Sequence, residues 1–286
     1  MDDRPESPRS PVPVVTARPV LAYARTSPWT LHFDLRRVST SAAVVDLILV
    51  VFALLGAPLV VQFGLLLVLG ADALVPSVSL FTILKWTDAL VVVALTTLLA
   101  YRHRLRPESF GLQTTRFGWQ LAWSVPVLAV TYLALLGSAV VILLLITAFP
   151  ELQYELESRA RFLDALPLDN MGAAALLLVA VAIHEELLFR GLLIPYLHRL
   201  GLGWAGAIAL STTVFALLHY EQGWLGVIQI LPIGLVLAVA FVLTRSLTAV
   251  IVAHFCFDLA QMYLARSLLP WAQDAFDQLE SAALIG

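Results

Sequence analysis

Seven apolar stretches, each at least 18 residues long, run through this chain at about 42–70, 79–100, 119–149, 172–198, 204–221, 224–243 and 247–266. A helix of roughly 20 predominantly apolar residues crosses a bilayer core about 30 Å thick. The stretches therefore predict an all-α, polytopic membrane protein: a helical bundle of about seven or eight transmembrane helices. The first and third are long enough to tilt, or to kink at Pro58 or Pro126. Composition agrees, with 60% hydrophobic and 13% charged residues, against about 25% charged in soluble domains. A net charge of −3 offers no basic surface to nucleic acid. The lone Cys256 excludes an intramolecular disulfide and a Cys-rich zinc site.

Residues 1–41 hold six of the fifteen prolines and six arginines. They are expected to form a disordered tail, too long and polar for the start of a signal peptide, which makes the first helix an uncleaved anchor. Residues 42–149 are read as N-terminal transmembrane helices and 170–265 as the core that carries chemistry. Residues 267–286 are read as an interfacial C-terminal tail, either a short surface helix or the start of an eighth span. Arginines alternate between connections. Arg102, Arg104, Arg106 and Arg116 occupy one, and Arg199 and Arg245 the later turns on the same side. The connection 71–78 has none, and Arg159 and Arg161 sit among five acids in 150–171. The positive-inside rule then places the N-terminus in the cytoplasm of a plasma-membrane protein, with Arg266 as the one exception.

Ionisable groups inside such segments cost about 2.5–3.5 kcal/mol each on insertion scales. They cluster here in "IHEELLFRG" (183–191), "FALLH" (215–219) and "HFCFD" (254–258). Residues four apart share a helix face, whereas neighbours lie about 100° apart. Glu186 and Arg190 therefore pair, acid first, as a structural unit, and Glu185 points elsewhere without a partner on its own helix. His219, His254 and Asp258, the last one turn beyond His254, are the groups that can meet it. Counting about 1.5 Å per residue from the helix ends puts all four at overlapping depths.

Two chemistries suit that set. Glu185, His219 and His254 can ligate zinc or another divalent metal, whose bound water becomes a nucleophile near neutral pH. Alternatively, without metal, Glu185 acts as general base on a water held by His219, while His254 and Asp258 orient the carbonyl or steady the oxyanion. Either ends in hydrolysis of an amide or ester inside the membrane. The HExxH pattern fails because position 188 is Leu, which gives His184 a supporting place. Competing readings are a proton- or ion-coupled transporter and a non-catalytic immunity or scaffold protein.

Glu185-Glu186-x-x-x-Arg190, Phe215-x-x-x-His219 and His254-x-x-x-Asp258, in this order on successive apolar segments, resemble the CPBP family of intramembrane metalloproteases (type II CAAX prenyl proteases and bacteriocin-processing, or Abi, proteins). The similarity covers about residues 170–265. It implies an intramembrane metalloendopeptidase in which Glu185 activates water with the help of His219, His254 and Asp258 complete the site, and Glu186 and Arg190 support it. It also implies a membrane-embedded or lipidated peptide or protein as substrate. Asp258 stands where relatives often carry Asn. Both the metal and the metal-free mechanism remain open at this point.

Overall fold

The structure is a computed structural model that describes residue 35 and residues 37–70, 77–113, 115–155 and 166–283, with side chains described as far as residue 268. The expected tail through residue 34 lies outside the described residues. Among those described there is no strand. The main helices are α1 (Thr40–Leu69), α2 (Val78–His103), α3 (Phe117–Ala148) and α4 (Met171–Glu185). After α4 come a π-helical stretch, Glu186–Leu193, and the single turn α5 (Ile194–Leu197). The chain ends with α6 (Gly203–Leu217), α7 (Gly223–Thr244) and α8 (Leu247–Ala283).

Starts are set by polar caps. Ser39 accepts from the Ala42 amide, Ser77 from that of Leu80, and Asn170 from those of Gly172 and Ala173, which satisfies donors that a helix N-terminus leaves unpaired. Large apolar side chains cover the outer faces of α1 and α3, among them Phe52, Leu59, Phe63, Leu133 and Leu143. That pattern suits a solvent of lipid tails.

Among the described residues, six helical runs are long and apolar enough to cross a membrane, and one of them, Met171–Leu217, contains 47 residues. Straight, it would measure about 70 Å. It is not straight: Gly201 takes φ +101°, open only to glycine without strain. Beyond it Ser211 Oγ donates to the Phe189 carbonyl at 3.2 Å, so the chain has reversed. The two spans expected at 172–198 and 204–221 are the two arms of this run.

The bundle is built from the pairs α1–α2, α2–α4, α4–α8, α3–α8, α3–α7 and α6–α7. One end is latched by polar groups. Buried Asp46 accepts from Arg102 (3.3 Å) and the Tyr196 hydroxyl (3.1 Å) and bonds His103 (2.7 Å). Gln113 donates to the Arg245 carbonyl at 2.8 Å, and Ser246 Oγ donates to Gln120 at 3.0 Å. Arg199 donates to the carbonyls of Leu35 (3.3 Å) and Val38 (2.9 Å), two residues assigned above to the tail that are nonetheless buried. At the C-terminus, the backbone of residues 267–283 continues α8 without a break.

Candidate active site

The π-helical stretch begins at Glu186 and has a local cause. Pro195 lacks the N–H that would bond the Gly191 carbonyl, and its ring would collide with that carbonyl in a regular α-helix; the widened turns before it relieve the clash. Gly191 lets this stretch approach the loop before α3, since a Cβ there would lie 3.4 Å from the Phe110 carbonyl oxygen and 3.5 Å from Leu247.

At this junction the two glutamates diverge. Glu186 is fully buried and its Oε1 accepts from Arg190 Nη1 at 2.9 Å, as the spacing predicted. The same oxygen meets His254 Nδ1 at 2.7 Å, a contact the sequence reading did not anticipate. Arg190 also donates to the Gly234 carbonyl at 3.0 Å and lies 4.4 Å above the Phe215 ring. Phe215 touches both histidines as well: its ring centroid is 4.7 Å from that of His219 and 6.4 Å from that of His254. One charged pair and one ring thus connect the π-helical stretch with α6, α7 and α8.

Glu185 points the other way. Its Oε2 is buried and lacks a hydrogen-bond partner, with Nε2 of His219 at 4.0 Å and Nε2 of His254 at 3.8 Å. His219 lies beyond the last turn of α6 and its Nδ1 donates to the Phe215 carbonyl at 2.8 Å. His254 Nδ1 donates to Glu186, and its Nε2 lies 3.2 Å from Asp258 Oδ2. His219 is therefore held as the Nδ1–H tautomer with a bare Nε2 toward Glu185, whereas His254, between the carboxylates of Glu186 and Asp258, donates from both nitrogens and so carries both hydrogens. Gaps of 3.8 and 4.0 Å exceed a direct hydrogen bond but equal the span bridged by one water about 2.8 Å from each group.

The four side chains line a cavity of about 530 Å³ whose remaining wall is mostly apolar, within the usual range of roughly 300–1,000 Å³ for ligand sites. Leu166, Gln222 and Leu268 mark one extremity, at the ends of helices opposite Arg104, Arg116 and Arg245. His184 lies off the cavity; it is buried, and neither ring nitrogen has a hydrogen-bond partner.

Imidazole and carboxylate are ordinary zinc ligands. Among the described residues, however, no group of three His, Cys, Asp or Glu side chains stands, as placed, close enough to share one ion.

Comparison with known proteins gives one result. Residues 167–260, about a third of the chain, match the family model "Type II CAAX prenyl endopeptidase Rce1-like". No curated protein and no solved structure matches the chain. The matched segment contains all three motifs and every residue of the cluster around Glu185. This chain, a multi-pass helical membrane protein, carries at residues 167–260 a domain of the Rce1-like type II CAAX prenyl endopeptidase family.

Proposed function

We propose that the chain is an intramembrane endopeptidase that hydrolyses peptide bonds of membrane-embedded or lipidated peptides and proteins in the Glu185 cavity. The observation that carries this reading is the unpartnered Glu185 oxygen facing two Nε2 atoms across a gap of one water. Glu185 takes a proton from that water, and the hydroxide oxygen attacks the scissile carbonyl carbon. His219 accepts the water's other hydrogen at Nε2 and aims its lone pair. His254, anchored by Glu186 at 2.7 Å and set beside Asp258 at 3.2 Å, turns Nε2–H toward the oxyanion. As the C–N bond breaks, the proton on Glu185 passes to the leaving amine, which restores the carboxylate.

Positioned acid–base groups of this kind contribute roughly 10²–10⁴-fold in rate. Purified protein in nanodiscs, given a library of lipidated and membrane peptides and read by mass spectrometry, should cleave some of them. Glu185→Gln should lower cleavage by at least about 10²-fold. Equal cleavage by variant and wild type would sink the assignment. A chelator arm addresses zinc: loss on chelation and recovery with zinc would add a metal held by Glu185, His219 and His254. The reading extends to a plasma-membrane protein with the arginine-rich end in the cytoplasm.

A further inference from the structure

Besides Gln222 at its extremity, two amide side chains, Gln229 and Gln261, line the apolar cavity. Gln229 lies on α7 one turn before Ile233, and Gln261 on α8 shares a face with His254 and Asp258, seven and three residues before it; all line the cavity. The Gln229 Oε1 and the Gln261 Nε2 are buried, and neither has a hydrogen-bond partner. Gln229 as a whole is 9% exposed. A buried amide left unsatisfied is costly, and Leu or Met would fill the same space without that cost. Two such groups lining one cavity are therefore best explained by what they meet there.

Ligand chemistries differ in what they offer an unpaired acceptor and an unpaired donor. An alkyl or isoprenoid chain offers neither and leaves both unsatisfied. Among the described residues an anion finds no Lys or Arg on the wall, only two carboxylates, Glu185 and Asp258. An extended peptide carries N–H and C=O in alternation, each needing a partner once it leaves water. Taking the cavity as a peptidase site, we propose that Gln229 and Gln261 are positioning residues for the substrate backbone. Gln229 accepts from a substrate N–H, Gln261 donates to a substrate C=O, and the pair sets which peptide bond reaches Glu185.

The test reads binding, not cleavage. Full-length protein in nanodiscs is titrated with a fluorescent, N-acetylated octapeptide of alternating Leu and Ala, and with hexadecylamine carrying the same fluorophore; empty nanodiscs provide the background. Gln229→Leu and Gln261→Leu should each weaken the peptide about tenfold and leave the alkyl probe unchanged or tighter, which also shows that the variants are folded. Backbone N-methylation of the peptide should weaken binding to the wild type by a similar factor and add little in Gln229→Leu, since the two changes remove one interaction. The proposal is overturned if both variants bind the peptide as the wild type does, if both probes weaken in parallel, or if the wild type does not bind the peptide. Persistent cleavage by Glu185→Gln would overturn the catalytic assignment and leave these binding results standing.

Discussion

Glu186 does two things with one oxygen. It neutralises Arg190 and it fixes His254, at 2.9 and 2.7 Å. The first was legible in the sequence because a four-residue spacing puts acid and base on one face, and the same rule turned Glu185 away from them. The second was not, because nothing local in "HEELLFR" says which helix lies opposite Glu186. The two roles separate by mutation. Glu186→Leu or Arg190→Met alone strands a buried charge and should cost about 3–5 kcal/mol. The double variant Glu186→Leu/Arg190→Met leaves an apolar pair and should recover most of that loss in thermal unfolding. Cleavage should stay low, because His254 Nδ1 still lacks its acceptor. A stable double variant with full activity would show that Glu186 serves the fold alone.

At the level of elements, the site depends on how closely three helices approach rather than on their polar residues alone. The apolar runs were plain in the sequence. The widening before Pro195 and the reversal at Gly201 were not, because each depends on a single backbone position. Gly234 shows the same dependence. A Cβ there would fall 2.9 Å from Phe215 Cδ1 and 3.6 Å from Arg190 Nη2, so Gly234→Ala must push the ring that touches Arg190 and both histidines. Such overpacking costs about 1–3 kcal/mol, and the displaced ring should carry His219 away from Glu185. Lower melting temperature and several-fold slower cleavage are expected. Gly137→Ala on α3, where a Cβ meets nothing within 4 Å, should leave both unchanged. Equal behaviour of the two variants would mean that Phe215 does not hold the site.

Across the whole molecule the two ends of the bundle are built differently. At the arginine-rich end, Asp46, Gln113, Gln120 and Arg199 tie the connections together. At the other, the Trp224 amide donates to Glu155 at 2.7 Å, and the cavity extends from mid-bundle to Leu166, Gln222 and Leu268. The arginine count was readable from sequence, but where the cavity lies could be seen only once α3, α7 and α8 were packed together. The α3 helix of 32 residues is about 48 Å long, so Thr115 before it and Glu151 after it lie on opposite faces of a bilayer. If arginines mark the cytoplasm, the site is approached from the membrane or from the non-cytoplasmic side. Single cysteines placed in a Cys256→Ala background test this directly. In intact cells an impermeant maleimide should label Glu151→Cys and Gln222→Cys, and should reach Thr115→Cys only after permeabilisation. Labelling of Gln222→Cys together with Thr115→Cys would place the cavity mouth at the arginine-rich face. Labelling of Thr115→Cys alone in intact cells would invert the orientation and bring the substrate to Glu185 from the cytoplasm.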